Sequence, residues 1–400
     1  MLESVPPRRL FSELCTPRRA AVHATDASAR GPETLSQIFM SATTQTRATL
    51  TAAAASRAVS LRWIIGARDD LVWFIGSVAA SYALFALYVA RIVPLVPMVV
   101  AWAVLVDAPH VFATFSRTYF DREERRARGR LLWWSLLFFA AGPAAVLLGL
   151  GFVFFFVAAL WAYYHLVKQH YGFMVLYKKK NEDLAPADNF LDRAFLLLAF
   201  TYPFVWFVAR DEEALRRVPA SLHGWLGLLE GALLLATAVA SVAWVARQVQ
   251  RAMMGLALDV PKYLLLAAAI PMHWVVLLTP MPQKPVAIVA MLTIYHNLQY
   301  HRLVWFHNRK YTRDALGRER HGAAEFISRR LVHYVVLGLV FGLWYQVPRQ
   351  YLNHAADPEA FVTQLASGFL WGYALLHYYL DSKIWRVRRD PSVGRALRME

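Results

Sequence analysis

The 400-residue sequence has very little cysteine and few charged residues. Cys15 is the only cysteine, so an internal disulfide, a zinc site built on cysteines and thiol chemistry inside a membrane are all excluded. Charged residues make up 18% of the chain, hydrophobic residues 58%, and the mean hydropathy is +0.35. A composition this apolar is not typical of a soluble domain. Much of the chain is therefore predicted to face lipid.

The apolar residues fall in blocks long enough to cross a hydrocarbon core as helices, which takes roughly 20 residues. This pattern predicts an all-α, polytopic integral membrane bundle of about ten transmembrane helices. The predicted spans are 71–90, 94–114, 131–148, 152–172, 194–209, 225–246, 262–280, 286–303, 331–347 and 361–381.

The net charge of +16 is distributed in every second loop. Basic residues concentrate at 57–68, 117–130, 178–180, 247–262, 302–330 and 383–389. The opposite loops are short or acidic, as at 211–213 and 357–359. Positive-inside sorting produces this alternation, so both termini are predicted in the cytoplasm of a multi-pass inner (cytoplasmic) membrane protein. The charge then reports topology, and nucleic acid is not expected as a partner.

Three regions are expected along the chain. Residues 1–60 are rich in Ala, Ser, Thr and Arg and lack a long apolar run, which predicts a disordered tail, or a start at Met40. Residues 61–390 form the transmembrane domain, and 391–400 a C-terminal tail.

Eight of the 13 histidines are predicted to share the cytoplasmic face. The even-numbered spans descend toward the cytoplasm, and the last turns of four of them carry histidines, while one histidine opens the ninth span. The candidate metal ligands are His110, His165, His170, His296, His301, His307, His333 and His377, with Asp381. Random placement would scatter these residues over both faces. His223, His273 and His354 lie toward the other face and are left out.

The candidates differ in how strongly they indicate a ligand. His307 and His333 also suit an interfacial polar residue or a cation at a helix end. His165 and His296 lie inside apolar sequence, where an unpaired ionisable side chain costs a few kcal/mol and usually marks function. Asp381 follows His377 by four residues, which places both on one helix face and suits an ion or a carboxylate that orients a histidine.

Two pairs have a less favourable spacing. His165/His170 and His296/His301 are five residues apart, about 140° around an ideal helix. Each pair can share an ion only where the helix loosens, as in a π-bulge. Pro109 lacks a backbone N–H and is expected to kink the second span beside His110.

Imidazole-rich sites without cysteine suit iron, copper, zinc or nickel. Eight histidines with a carboxylate suffice for two ions. Two oxygen-activating irons at the membrane face would meet lipid tails from the bilayer and electrons from the cytosol. Iron, with two ions, is therefore the expected cofactor.

The H-x4-H spacings resemble the histidine boxes of the membrane di-iron enzymes, the fatty-acid desaturase, sterol hydroxylase and alkane monooxygenase group. This sequence has no adjacent His-His pair, which those families use, and has more spans than they typically have. The resemblance implies an oxygenase, hydroxylase or desaturase that acts on a lipid-like substrate with a cytosolic electron donor.

Several alternatives remain open from the sequence. A haem-binding electron carrier would favour single histidines deep in several helices. A membrane dioxygenase with one histidine-ligated iron, such as those that cleave carotenoids, would use about four of the histidines. A transporter or metal permease would line a path across the bilayer. An acyl- or glycosyltransferase would need one histidine, and a non-catalytic membrane protein would need none.

Overall fold

The computed structural model describes residues 59–311, 316–387 and 390–399, so nearly all of the predicted N-terminal tail lies outside the described residues. Ten long helical segments fill this part of the chain. They are α1 (Ala67–Val89), α2 (Leu95–Arg117), α3 (Arg122–Leu147), α4 (Gly151–Lys180), α5 (Pro186–Arg210), α6 (Ala220–Met253), α7 (Val260–Leu278), α8 (Lys284–His307), α9 (Leu331–His354) and α10 (Phe361–Ile384). Three short helices are Glu212–Leu215, Ala323–Arg329 and Pro391–Ala396. The strands are two residues long, Val59–Ser60 and Leu258–Asp259, paired in parallel.

The all-α prediction is confirmed for the described residues, and each predicted span falls on one long helical segment. Eight of these segments are long and apolar enough to cross a membrane. The two that do not meet this criterion, α8 and α10, are the segments that carry His296, His301, His307, His377 and Asp381. Polar side chains gathered on these two helices lower their hydropathy.

Helix α8 lies inside the bundle and α6 on its surface. The most apolar window of α6 is only 6% buried, and that of α2 is 61% buried. Along α8, buried side chains occur on all sides, among them Ala287, Met291, Tyr295 and Val304. A helix buried all round carries side chains that no solvent or lipid reaches. Polar groups on α8 must therefore find partners within the protein.

Glycines bring two helix pairs into close contact. On α9, a Cβ added to Gly342 would lie 2.3 Å from the Val104 carbonyl oxygen of α2, and Gly338 packs on Pro109. On α10, Gly368 meets Gly142 of α3, where an added Cβ at Gly142 would lie 2.3 Å from the Gly368 carbonyl oxygen. Small residues four apart are typical of tightly packed membrane helices. These contacts fix how closely α9 packs on α2 and α10 packs on α3. Helices α2 and α10 carry His110 and His377.

Helix α2 contains a π-helical turn, Ala103–Asp107, immediately before Pro109 and His110. Proline removes one backbone N–H and clashes with the preceding turn, and the wider turn accommodates it. In contrast, α4 and α8 are regular around His165/His170 and His296/His301. The helix loosening that these pairs would need occurs in α2 instead.

Buried ion pairs join the ends of α4, α5, α6 and α7. Lys262 Nζ lies 2.7 Å from Asp183 and 3.0 Å from Asp192, and Lys178 also pairs with Asp192. Arg251 donates to Asp183 and Asp188. Burial raises the pKa of Asp183, but the charges of Lys262 and Lys178 outweigh it and hold that pKa below its ordinary value. Breaking such a buried pair is strongly destabilising, so the network locks these helix ends together.

Candidate metal centre

Four buried histidines from four helices meet within the described part of the chain. His110 comes from α2, His165 from α4, His296 from α8 and His377 from α10. Their rings form a closed cycle, with centroid distances of 4.8 Å (His110 to His296), 5.1 Å (His296 to His165), 4.9 Å (His165 to His377) and 4.5 Å (His377 to His110). We call these four residues the histidine centre.

The histidine centre has the geometry of a metal-binding group. One ring nitrogen from each residue lies within 4.8 Å of all the others. Nitrogens about 2.0–2.1 Å from an ion are at most about 4.2 Å apart, so closing on an ion takes movements of less than about 1 Å. His110 Nε2 and His296 Nε2 lie 3.3 Å apart, whereas His165 Nε2 and His377 Nε2 are buried without a hydrogen-bond partner. Buried polar groups are normally satisfied, so a bound cation is a suitable partner for these nitrogens.

Burial of the four rings is nearly complete. His377 is fully buried, His110 and His296 are 3% exposed, and His165 is 8% exposed. Tyr378 stacks on His165 with a centroid distance of 4.4 Å. The histidine centre is therefore closest to the outside of the bundle at His165, between α4 and α10.

A hydroxyl and a carboxylate orient one of the four rings. Thr114 Oγ1 lies 2.7 Å from His377 Nδ1 and donates to Asp381 Oδ1 at 2.9 Å. Tyr300 also donates to Asp381 Oδ1, at 2.7 Å. His377 Nδ1 thus carries the proton and donates to Thr114, which leaves Nε2 free for an ion. Partners of this kind fix the tautomer of a ligating histidine and raise its basicity.

Asp381 is therefore a positioning residue for the histidine centre. Its Oδ1 is 3.8 Å from His377 Nδ1, and Thr114 bridges the two. This matches the orienting role that the four-residue spacing allowed. Asn297 Nδ2 donates to Asp107 Oδ1 at 3.3 Å.

His170 is turned away from the histidine centre. It faces His273 of α7, with ring centroids 5.6 Å apart, and Phe200 lies against both rings. Each Nδ1 donates to the carbonyl four residues earlier, and each Nε2 is buried without a partner. The regular helix α4 separates His165 and His170 by about 140°, so the two cannot point to one ion. The sequence placed His273 toward the other membrane face, whereas the structure packs its ring against that of His170.

Three more candidates also lie outside the histidine centre. His301 is 6.1 Å from the His110 ring and pairs with the Tyr334 hydroxyl and the Val106 carbonyl. His307 lies beside Asn308 and Trp385. His333 stacks on Phe326, and its Nδ1 donates to the Phe326 carbonyl. The structure brings together four of the eight predicted histidine ligands.

The donor set defines what the centre can do chemically. Neutral imidazole ligands would not compensate the positive charge of a bound cation. The carboxylate of Asp381 is joined to His377 through the Thr114 hydroxyl. Imidazole suits zinc, copper, iron and nickel. No family model, no curated protein and no solved structure matches this chain. Its chemistry therefore rests on the histidine centre itself.

Proposed function

We propose that this protein is a polytopic membrane protein whose ten long helices all cross the bilayer, with both termini in the cytosol. Eight apolar helices support this, as does an outer surface with large exposed apolar side chains such as Trp133, Leu148 and Val242. The alternation of basic and acidic loops sets the orientation. Reporter fusions test it: a fusion at residue 215 is expected outside and one at residue 310 inside, and the reverse result would overturn the orientation.

We infer that the histidine centre binds one redox-active transition-metal ion, iron. The observation that carries this inference is the closed cycle of four buried rings, each of which brings one ring nitrogen within 4.8 Å of the other three. One ion suits the four converging nitrogens, whereas the two ions expected from the sequence would need ligands beyond this group. Among the alternatives drawn from the sequence, an oxygenase with one iron held by about four histidines agrees best with the geometry.

Iron is favoured over zinc by the donor set. Structural zinc sites use cysteine with or without histidine, and catalytic zinc sites use three protein ligands with one open position. Four histidines without cysteine match neither class. Four protein ligands would leave further coordination positions of an iron ion open for oxygen.

The proposed reaction is the oxygenation of an apolar, lipid-like substrate. Bound iron would supply oxygen activation. A substrate dissolved in the bilayer would approach from the side of His165, the most exposed member of the centre. The near-complete burial of the other three rings would exclude water and so protect a reactive centre from side reactions. A cytosolic electron donor would keep the iron reduced.

Metal analysis of the purified, detergent-solubilised protein tests this proposal. Anaerobic preparations are expected to hold about one iron per chain, and His165→Ala or His296→Ala to lose it, since each removes a ligand. His333→Ala is the matched control, because this ring is bonded outside the centre, and it is expected to keep the metal. Oxygen uptake should require reductant and an apolar substrate. Stoichiometric zinc instead of iron, or full metal in His296→Ala, would overturn the proposal.

A further inference from the structure

A chain of aromatic rings leads from the histidine centre to a polar cavity. The Tyr300 ring lies 4.5 Å from His110 and 5.7 Å from His377. Further centroid distances are 5.9 Å from Tyr300 to Trp385, 5.4 Å from Trp385 to His307, 6.3 Å from His307 to Tyr311 and 4.9 Å from Tyr311 to His321. His321 lines a cavity of about 660 Å³ on the side of the basic loops. Electron tunnelling falls steeply with distance, so the closely spaced oxidisable rings of Tyr300, Trp385 and Tyr311 speed transfer, and the His307 imidazole fills the gap between Trp385 and Tyr311.

Tyr300 has the surroundings that a redox-active tyrosine needs. Its hydroxyl donates to Asp381 at 2.7 Å, and the Thr114 hydroxyl lies 2.7 Å away. The ring is 1% exposed. A phenol loses an electron readily only when its proton can leave with it, since the phenol radical cation is a very strong acid. The carboxylate of Asp381 is placed to take that proton.

We propose that Tyr300 is a redox relay between the histidine centre and the cavity, an inference that rests on the proposed iron oxygenase. Tyr300 gives one electron to the oxidised metal, and its phenolic proton passes to Asp381, which leaves a neutral tyrosyl radical. One electron from a one-electron donor, a reduced flavin or iron–sulfur protein at the cavity, then restores Tyr300 by way of Tyr311 and Trp385. The proton returns from Asp381 to the phenolic oxygen.

The neighbouring charges place the radical on Tyr300 and not on Trp385. The guanidinium of Arg117 lies 3.7 Å over the Trp385 ring, and Arg117 is fully buried. A positive charge there opposes a cation on the indole. Trp385 also donates its Nε1–H toward the Tyr300 hydroxyl at 3.4 Å. Trp385 therefore passes the electron on, while Tyr300, beside a carboxylate, holds the oxidised state.

Tyr378 provides a matched control. Its ring is also close to the centre, 4.4 Å from His165. Among the described residues no carboxylate accepts a hydrogen bond from Tyr378, in contrast to the Tyr300–Asp381 pair. Proximity alone would make both tyrosines oxidisable, whereas the proposed relay needs the proton acceptor as well.

The experiment uses the full chain stripped of metal with a chelator. Cys15 is replaced by Ser, and Arg320→Cys, at the cavity, is labelled with a ruthenium diimine photo-oxidant. After flash oxidation, electron paramagnetic resonance is expected to show a neutral tyrosyl radical that Tyr300→Phe abolishes and Tyr378→Phe retains. Trp385→Leu should slow its formation by an order of magnitude. An undiminished radical in Tyr300→Phe would overturn the relay, even if Trp385→Leu fails to fold, because Tyr300→Phe removes only a hydroxyl.

This outcome is separate from the metal analysis. A Tyr300 radical in a protein that never binds iron would leave the redox-active tyrosine standing and refute the oxygenase. Full iron content without a Tyr300 radical would refute the relay alone.

Discussion

Replacing Thr114 by Val tests whether the chain from His377 through Thr114 to Asp381 supports metal binding. The substitution keeps the shape of the side chain and removes its hydroxyl. His377 Nδ1–H then loses its acceptor at 2.7 Å, and Asp381 loses its donor at 2.9 Å but keeps Tyr300. Loss of an outer partner of a ligating histidine typically weakens metal binding about 10–100-fold. This corresponds to about 1.4–2.7 kcal/mol.

A second estimate of the free-energy cost of Thr114→Val comes from the His377 Nδ1–H group, which is left without an acceptor. A buried donor whose acceptor is removed costs about 1–3 kcal/mol. The two ranges overlap, so we expect the affinity of Thr114→Val for iron to fall about 10–100-fold while the chain stays folded. Competition with a calibrated chelator in detergent measures the affinity, and thermal unfolding measures the stability.

Thr118 supplies the control, because it lies one turn further along and is equally buried. Among the described residues, its hydroxyl donates a hydrogen bond to the Thr114 carbonyl, at 2.7 Å, and to no histidine. Thr118→Val is expected to change stability slightly and to leave metal affinity unchanged. Equal affinity in Thr114→Val and the wild type would refute the role assigned to this chain of hydrogen bonds.

Three further predictions concern the fold. Gly342→Ala should lower the free energy of unfolding by about 1–3 kcal/mol, because its Cβ would press on the α2 backbone. Gly231→Ala, in open space, should not lower it, and thermal unfolding compares the two. Lys262→Met should cost about 3–5 kcal/mol in chemical denaturation, because buried aspartates lose a partner. Arg62→Met, in an exposed pair, should cost about 1 kcal/mol or less. Burial raises the pKa of Asp259 to about 6 from 3.8. The folded protein then favours the protonated form, so its stability should fall as pH rises from about 4 to 6, by about 3 kcal/mol at about 1.4 kcal/mol per unit. Asp259→Asn should abolish that part of the pH dependence.

Each of these predictions has an outcome that contradicts it. Equal losses in the two alanine variants would mean that the glycine contact does not limit helix approach. A neutral Lys262→Met would mean that the buried network is not coupled to stability. An Asp259→Asn variant that follows the wild-type pH profile would place the titration on another group.

The sequence alone determined the helical architecture, because apolar blocks of span length can satisfy their backbone only as helices. All ten predicted blocks lie on long helices. It also singled out the last turns of four of them, since a histidine in apolar sequence needs a partner. His110, His165, His296 and His377 were all among the candidates named from these turns.

Only the tertiary structure decided which histidines meet. Hydropathy and spacing do not fix the rotation of one helix against another, and five residues along α4 turn His165 toward the centre and His170 toward His273. The glycine contacts fix how closely α9 packs on α2 and α10 packs on α3. The hydrophobic periodicity of the sequence does not predict these distances. Thr114 had no signal of its own in the sequence, because a threonine becomes a bridge only when packing places His377 and Asp381 around it.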